Sequence, residues 1–387
     1  MNVILFDDPA LRVELLPFTF TRPVGKIRVG ILTIEEKWNK WLNTSVSFQT
    51  EKYLQKKFPA VSTDDNLLIN GALCPDEKIV AAIKSLPPGR FLVRNNVLLA
   101  ARKPEVEMSL DNTTQYPENI TLIDRPWKIF SENGRQLKID FVVITAGRRS
   151  APVDDKHTIV YGKDNLFIEE GVYTRAAILN AENGPIYLGK NSIVQEGAII
   201  RGSFALCEGG HINMGAKIRG DVTVGPYSKV GGEVSTSVLF GYSNKAHDGF
   251  LGCSVLGEWC NLGADTNTSN LKNNYDAVKL WRHGSQSFES TGLQFCGLMM
   301  GDHSKCSINT MFNTGTVVDV SSNVFGDGFS RNYIPSFSWG GSGGAEVYKL
   351  DKALETAKRV MARRNIELNE VEKEILTHVF NISRPAS

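Results

Sequence analysis

The stretch "LGKNSIVQEGAIIRGSFALCEGGHINMGAKIRGDVTVGPYSKV" (188–230) carries the pattern that decides the fold. Helices repeat every 3.6 residues and ordinary strands every two, so neither explains an aliphatic residue at every sixth position. A six-residue unit instead fits one face of a triangular solenoid, in which each aliphatic side chain points inward. The stretch therefore predicts a left-handed parallel β-helix, a rare exception to the right-handed crossover rule. The inward positions are Leu188, Val194, Ile200, Leu206, Ile212, Ile218, Val224 and Val230.

The six-residue pattern then changes phase twice. A second grid, shifted by two positions, comprises Val238, Phe250, Leu256 and Leu262, and a third comprises Met300, Cys306, Phe312, Val318 and Val324. We therefore expect one loop inserted between 230 and 250 and a polar, Asn-rich insertion between about 265 and 297. Loops that leave a rigid scaffold commonly carry binding groups.

The first half of the chain mixes helix and strand signals, which favours an α/β, Rossmann-like sheet domain. Helices are predicted at 33–44 and 75–86, and strands at 2–8, 65–73, 90–101 and 140–147. We expect the α/β domain to span 1–180, the β-helix 181–340 and a helical tail 341–387. The tail should form two amphipathic helices, at 346–365 and 369–380, that cap the open end or pack on a neighbouring subunit.

Composition excludes several classes of function. The formal net charge of the 387 residues is +1, which gives no argument for nucleic acid or for a membrane surface as a partner. No apolar run approaches the ~18 residues that a spanning helix needs. The N-terminus carries early acids and no basic region, and no two cysteines form a C-x-x-C pair. We therefore expect a cytoplasmic protein whose cysteines are reduced.

A lone histidine lies where the repeat loses its phase, in "FGYSNKAHDGFLG" (240–252). A single loop histidine is usually a surface residue, but an imidazole can also take a proton from an attacking amine. Asn261, about one coil further on, and Asn270 could donate hydrogen bonds to a developing oxyanion. Arg219 on a preceding coil could hold a phosphate. Together with His247, this set suits acyl transfer to an amine on a phosphorylated substrate.

At these residues the chain resembles the bifunctional N-acetylglucosamine-1-phosphate uridylyltransferase/glucosamine-1-phosphate acetyltransferase family. The segment 243–272, "SNKAHDGFLGCSVLGEWCNLGADTNTSNLK", is similar to the family's K-A-G-H, L-G-D-A-E-I-G and N-x-G-A-G-T motifs. The resemblance implies that His247 is the base and that Asn261 lies on the oxyanion side. It also implies acetyl-CoA as donor, bound along the solenoid between the subunits of a homotrimer. The other implied ligands are Ala264 for acetyl-CoA and, for the sugar phosphate, Arg219, Asn270, Phe250 in place of a tyrosine, and Lys272 or Lys279.

The segment "LLPFTFTRPVGKIRVGILT" (15–33) resembles the family's nucleotide-binding region in a divergent, Bacteroidetes-type branch, although the G-x-G loop is absent. Where the family has an aspartate that holds Mg²⁺, this chain has Ala72, which cannot ligate a hard cation. Either Asp7, Asp8 or Asp76 replaces that ligand, or this half no longer catalyses. The implied nucleotide-binding residues are Thr21, Arg22, Lys26 or Arg28, Asn70 and Gly71.

The resemblance implies two activities. The β-helix would acetylate glucosamine 1-phosphate or a close relative, and the N-terminal domain would transfer a nucleotide, such as UMP from UTP with Mg²⁺. Three alternatives stay open. The N-terminal domain could bind a sugar nucleotide without catalysis, the whole chain could be a regulatory scaffold, or an acyltransferase alone could act on a pre-formed nucleotide sugar amine.

Overall fold

The computed structural model describes residues 2–103 and 108–383. The strands of the N-terminal domain are β1 (Asn2–Phe6), β2 (Val46–Gln49), β3 (Asn66–Asn70), β4 (Leu73–Cys74), β5 (Arg90–Arg94), β6 (Val97–Arg102), β7 (Thr113–Gln115) and β8 (Thr121–Leu122). Six of them form a mixed sheet in the order β2-β1-β3-β6-β5-β7. Strands β1, β2 and β3 are parallel, whereas β6 is antiparallel to both of its neighbours.

Seven α-helices lie in the described residues. They are α1 (Pro9–Glu14), α2 (Ile34–Leu42), α3 (Glu77–Lys84), α4 (Pro126–Ser131), α5 (Asn133–Thr145), α6 (Leu350–Ala362) and α7 (Glu370–Ser383). Short 3₁₀ turns lie at Val24–Lys26, Lys52–Leu54 and Lys163–Asn165. Helix α2 starts where its sequence predicts, because Thr33 and Glu36 form a reciprocal capping box.

Two sequence expectations in this domain were wrong. The predicted strand 90–101 is a β5–β6 hairpin, because Asn95 and Asn96 adopt positive φ angles that reverse the chain. The predicted strand 140–147 lies instead in and just after helix α5. Asp140 of that helix accepts backbone N–H groups of Ile31 and Leu32, and this tertiary contact overrides the β-branched run.

The second half is a parallel β-solenoid with three faces, as predicted. Face 1 holds Leu166–Ile168, Ile186–Leu188, Phe204–Leu206, Val222–Val224, Val238–Gly241, Val255–Glu258, Met299–Met300, Val317–Val318 and Tyr333–Ile334. Face 2 holds Tyr173–Thr174, Ile193–Val194, His211–Ile212, Lys229–Val230, Asn244–Lys245, the bridging residue Asn261, Lys305–Cys306, Asn323–Val324 and Ser338–Gly341. Face 3 holds Ile159–Tyr161, Ile178–Asn180, Ile199–Arg201, Lys217–Ile218, Glu233–Ser235, Phe250–Gly252, Asn267–Thr268 and Met311–Phe312.

The first phase change has a different cause from the one expected. Val224 pairs with Leu239, 15 residues on, and Leu239 with Leu256, 17 residues on, so these coils are shortened and hold no inserted loop. The inward residues are therefore Leu239 and Leu251, not Val238 and Phe250. The shortening also points a lysine inward, since Lys245 is 2% exposed.

The second insertion is confirmed. Leu256 pairs with Met300, 44 residues on, and the added segment contains an antiparallel hairpin, Lys279–Arg282 with Ser287–Ser290. Val278 and Leu280 of this insertion are buried in the same hydrophobic cluster as Phe18 of the N-terminal domain. The α/β domain and the solenoid therefore share one core.

The domain limits differ from those expected at one end. Solenoid pairing begins at Ile159 instead of 181, because Ile159–Tyr161 already pairs in register with Ile178–Asn180.

Helices α6 and α7 do not cap an open end; they pack between face 2 and the N-terminal domain. His378 stacks on Tyr53 at 4.0 Å, and Lys57 pairs with Glu372 at 2.5 Å. No helix in residues 2–103 and 108–383 combines the length and apolarity needed to cross a membrane.

Candidate functional site

A cavity of about 640 Å³ opens beside face 2, between the solenoid and helix α6. Three residues singled out from the sequence line it: His247, Asn261 and Ala264. His247 is exposed at the turn between face 2 and face 3, and Asn261 is half-buried. The structure thus brings the predicted base, the predicted oxyanion donor and the predicted donor-binding residue to one cavity.

The turn that carries His247 is held from inside and from below. Lys245 points into the coil, where its Nζ donates to the carbonyl oxygens of His247 at 2.6 Å and of Asp248 at 3.2 Å. From two coils earlier, Asn213 Nδ2 donates to the carbonyl of Ala246 at 2.8 Å. A Cβ added at Gly231 would lie 2.3 Å from that same carbonyl oxygen, so only glycine fits beneath the turn. The phase change therefore builds a fixed corner for the histidine.

The Asn261 amide is oriented by a relay of hydrogen bonds. Arg364 Nη2 donates to Asn244 Oδ1 at 3.1 Å, and Asn244 Nδ2 lies 3.5 Å from Asn261 Oδ1. With its oxygen turned toward Asn244, the Asn261 amide keeps its N–H₂ end for a ligand. This is the donor that a developing oxyanion needs.

The cavity is strongly cationic. Its charged lining side chains are Lys229, Lys305, Arg363 and Arg364, and no carboxylate is found among the described residues that line it. Burial, then the charges of Arg364 and Arg363, lower the pKa of Lys229, and burial and Arg363 lower that of Arg364. A bound anion would relieve this mutual repulsion among the cations.

An aromatic stack forms one wall of the same cavity. Tyr242 and Trp259, on successive coils, stack with ring centroids 4.3 Å apart, and Tyr227 continues the stack at 5.4 Å from Tyr242. Tyr227 and Trp259 cover the two faces of Tyr242, and His303 stacks on Trp259 at 6.2 Å. The stack therefore contributes an apolar wall beside the cations.

The predicted acceptor-binding residues lie around the neighbouring corner, on face 3. Arg219 is exposed and pairs with Glu233 at 3.1 Å, and Glu233 is in register with Phe250 on the next coil. The Phe250 ring and the Asn270 amide both lie against Gly252, where a Cβ would meet them at 2.5 and 2.7 Å. Arg219, Phe250 and Asn270 therefore lie along one edge of the solenoid, on the face next to the turn that carries His247.

Lys272 and Lys279 do not join them. Both lysines line a second cavity of about 1000 Å³, formed by the inserted hairpin. The structure of this chain thus separates the two loop lysines from the cavity that holds His247.

Four predicted nucleotide-binding residues line a third cavity, of about 240 Å³, where the N-terminal domain meets the solenoid and α7: Thr21, Arg22, Lys26 and Arg28. Thr21 donates to Asp302 at 2.6 Å, and Arg22 pairs with Asp302 and with Glu258 at 3.2 Å. Arg28 is buried beside Glu36 at 3.5 Å, and Lys26 pairs with Glu35. The volume is below the ~300–1,000 Å³ of ordinary ligand pockets, and acids already neutralise the cations.

Asn70 and Gly71 lie at the end of β3 and are closely packed. Asn70 donates to the carbonyl of Leu98 at 2.9 Å and accepts from the N–H of Ala72 at 3.0 Å. A Cβ at Gly71 would be 3.2 Å from the backbone nitrogen of Gly25. The segment that follows β1 therefore packs against the end of β3. It takes the place of the family's open G-x-G loop.

The three acids considered as Mg²⁺ ligands have other partners. Asp7 accepts from Arg12 at 2.9 Å, Thr50 at 2.6 Å and the N–H of Val24 at 2.8 Å, while burial raises its pKa. Asp8 and Asp76 accept backbone N–H groups as the N-caps of α1 and α3. These residues do not fit a hard cation, and no group of metal-ligating side chains occurs among the described residues.

Sequence reasoning missed the basic wall of the first cavity. Arg363 and Arg364 end α6 about a hundred residues after His247, and Lys229 and Lys305 belong to other coils. The only local signal was the pair of arginines in "MARRN" (361–365), and only the fold-back of α6 shows what they face.

Comparison with known proteins gives matches to parts of this chain. Residues 3–149 match a family model described as sugar nucleotidyl transferase. A stretch of 93 residues is 32% identical to the bifunctional protein GlmU of Methanocaldococcus jannaschii and covers 24% of this chain. It covers 22% of that relative, so the match spans about a fifth of the relative's length.

Two solved structures are similar to a little more than half of this chain. The polySia-specific acetyltransferase NeuO is 13% identical, with a TM-score of 0.27, and the match covers 55% of this chain and 97% of that protein. The UDP-N-acetylglucosamine acyltransferase of Campylobacter jejuni is 12% identical, with a TM-score of 0.23, over 57% of this chain and 94% of that protein. The chain is thus similar to sugar nucleotidyl transferases over residues 3–149, and this part is joined to a parallel β-solenoid.

Proposed function

We propose that the β-helix transfers an acetyl group from acetyl-CoA to the amine of glucosamine 1-phosphate or a close relative. The observation that carries the proposal is the first cavity, in which His247, Asn261 and Ala264 meet a lining whose charged side chains are all cationic. Both substrates carry phosphate, which such a lining attracts. Tyr242 and Trp259 line the same cavity and offer an apolar contact to acetyl-CoA.

The residues supply a complete path for the proton. As the amine nitrogen attacks the thioester carbon, the His247 imidazole takes a proton from that nitrogen. The carbonyl oxygen becomes an oxyanion that accepts a hydrogen bond from the Asn261 amide. The tetrahedral intermediate then collapses, the C–S bond breaks, and the thiolate of CoA takes the proton from the imidazolium. The products are an N-acetyl amine and free CoA.

The acceptor would lie toward face 3, with its phosphate near Arg219 and its sugar near Phe250 and Asn270. Arg219 is exposed and pairs at the surface with the partly exposed Glu233, so its guanidinium can turn to a ligand. Phe250 lacks the hydroxyl of the family's tyrosine, which leaves Asn270 as the hydrogen-bond donor beside Gly252. The exact amino sugar is set by these two side chains in this proposal.

A homotrimer is part of the proposal. Apolar side chains are exposed along face 3 and the corner that carries His247: Ile199 (44%), Met214 (71%), Ile308 (66%) and Met311 (38%). A stripe of this kind marks an association surface. The proposal includes a cytoplasmic location, since all six cysteines are buried and unpaired. Light scattering of the purified chain measures the subunit number, and a monomer at all concentrations would contradict the trimer.

The test is a coupled assay with glucosamine 1-phosphate and acetyl-CoA, in which released thiol is measured. The wild-type protein should release thiol, and His247→Ala should lower kcat about 10²- to 10⁴-fold, the usual contribution of a general base. His157→Ala, an exposed histidine on the first coil, is the matched control and should keep full activity. A His247→Ala protein that acetylates at the wild-type rate would contradict the assignment of His247 as the general base.

Nucleotide transfer by the N-terminal domain is a second candidate, favoured by the family match over residues 3–149. Against it, Thr21, Arg22 and Arg28 are engaged by acids, so these ion pairs would have to open for UTP to bind. Pyrophosphate release from UTP and N-acetylglucosamine 1-phosphate with Mg²⁺ tests this candidate directly. Thiol release without pyrophosphate would support a non-catalytic N-terminal domain.

A further inference from the structure

The inserted hairpin forms a cavity that the acetyl-transfer proposal does not use. This second cavity, of about 1000 Å³, lies where face 3 turns into face 1. Along the first hairpin strand, Val278 and Leu280 pack into the core, so the alternating residues Lys279 and Trp281 face the other way and line the cavity. The hairpin therefore buries one face and presents the other to a ligand.

The charge of this lining has one sign. It contains Lys272, Lys279 and Arg331, and no carboxylate is found among its described residues. Lys279 and Arg331 are exposed, and neither has an ion-pair partner in residues 2–103 and 108–383. Lys272 donates to the carbonyl of Ala277 at 3.1 Å, which holds it over the loop. Cations without partners on one wall indicate that the ligand is anionic.

The other part of the lining is aromatic. Trp281 stacks on Tyr333 at 4.3 Å and contacts the edge of Phe288 at 5.3 Å. The Phe288 and Phe329 rings are 42% and 58% exposed, which is unusual for phenylalanine and leaves ring faces for stacking. The indole N–H of Trp281 is buried from solvent, so contact with a ligand falls to the two exposed phenylalanine rings. A ligand with a planar ring would stack on them.

We propose that this cavity is a second binding site, for a nucleoside diphosphate or the nucleoside-diphosphate part of a sugar nucleotide. The base would stack on Phe329 or Phe288, and the phosphates would bind Arg331 and Lys279. The cavity is large enough for such a ligand, whereas the 240 Å³ cavity of the N-terminal domain is not. The site is distinct from the cavity of His247, with which it shares no lining residue.

Calorimetric titration of the full-length protein with UDP, ADP and CoA, each alone, tests the proposal. UDP or ADP should bind at one site per chain. Arg331→Ala and Phe329→Ala should each weaken that binding about tenfold or more, as expected for loss of a phosphate contact or a stacking ring. Trp281→Phe replaces the indole with a smaller ring and should weaken nucleotide binding less. Titration with UDP-N-acetylglucosamine then distinguishes a free nucleotide from a sugar nucleotide as the preferred source.

Matched controls are available on the surface. Arg359→Ala on α6 and Phe325→Ala lie outside the cavity lining and should leave nucleotide binding within twofold of wild type. CoA should bind with an affinity that Arg331→Ala does not change. The proposal is overturned if neither UDP nor ADP binds at millimolar concentration, if binding is insensitive to Arg331→Ala and Phe329→Ala, or if those variants weaken CoA instead. Calorimetry measures nucleotide binding at this cavity, whereas thiol release measures acetyl transfer at the cavity of His247. Failure of one proposal is therefore distinguished from failure of the other.

Discussion

Lys245 Nζ lies 2.6 Å from the carbonyl oxygen of His247, inside a solenoid whose other inward positions are mostly aliphatic. The lysine occupies an inward position because the coil from Val230 is three residues short of the regular length. Its ammonium also donates to the carbonyl of Asp248. The irregular coil thus ties the turn that carries the proposed base to the interior of the fold.

Replacing this lysine should slow chemistry more than binding. In Lys245→Met the two carbonyls lose their donor and the His247 turn is free to shift, and misplacement of about 1 Å costs a catalytic group ~10²-fold. We expect kcat for acetyl transfer to fall 10- to 100-fold while KM for acetyl-CoA changes little. Lys217→Met, an exposed lysine on face 3, is the control. Unchanged kcat in a folded Lys245→Met protein would contradict the positioning role.

A single methyl group tests the same turn from below. The Cβ of Gly231→Ala would lie 2.3 Å from the carbonyl oxygen of Ala246, which cannot move without displacing His247. We expect a loss of activity and a free energy of unfolding lower by about 1–3 kcal/mol, the usual cost of overpacking. Gly343→Ala, where a Cβ would meet nothing within 4 Å, should change neither quantity. Thermal unfolding and thiol release measure both variants.

Two buried lysines should add stability as pH rises in the alkaline range, in opposition to the six buried cysteines, whose pKa values burial raises. Burial lowers the pKa of Lys245 to about 8 and that of Lys305 to about 8, below the ordinary value of 10.5. Between these values the two lysines bind more protons in the unfolded chain than in the folded chain, so their contribution to the free energy of unfolding increases as pH rises from about 8 to 10.5. The increase is on the order of 3 kcal/mol for each lysine.

Urea unfolding at pH 7.5, 9 and 10 measures this dependence. The free energy of unfolding of wild type minus that of the double variant Lys245→Met/Lys305→Met should increase from pH 7.5 to pH 10, since the variant no longer has the two lysines to titrate. A difference that stays constant with pH would contradict the prediction.

Asp302 should prove essential for the junction of the two domains. It accepts from Thr21 at 2.6 Å and from the N–H of Glu258 at 2.8 Å, and it pairs with the buried Arg22. Asp302→Ala leaves the Arg22 charge short of its closest partner, a change that costs about 3–5 kcal/mol for a buried pair. Denaturant unfolding measures the loss. The exposed Asp327→Ala is the control, and equal stability of the two variants would rule out a structural role for this ion pair.

Local patterns in the sequence determined much of the fold. All eight residues of the first six-residue grid are buried at 1% exposure or less, because an inward position in a repeated coil is set by spacing alone. The third grid and the insertion were found in the same way. Where coils shorten, the six-residue spacing no longer identifies the inward residues. It predicts Val238 and Phe250, whereas Leu239 and Leu251 take those positions.

The sequence by itself also indicated His247 and Asn261, since they are about one coil apart and fall on a recognisable motif. Only the tertiary structure decided what surrounds them. Arg364 reaches Asn244 across 120 residues, and Arg22 meets Asp302 across 280, which makes the first pair part of a cavity and the second part of a domain junction. The physical reason is that spacing along the chain fixes which way a side chain points in a repeat, whereas burial and pairing of charge depend on which distant segments pack together.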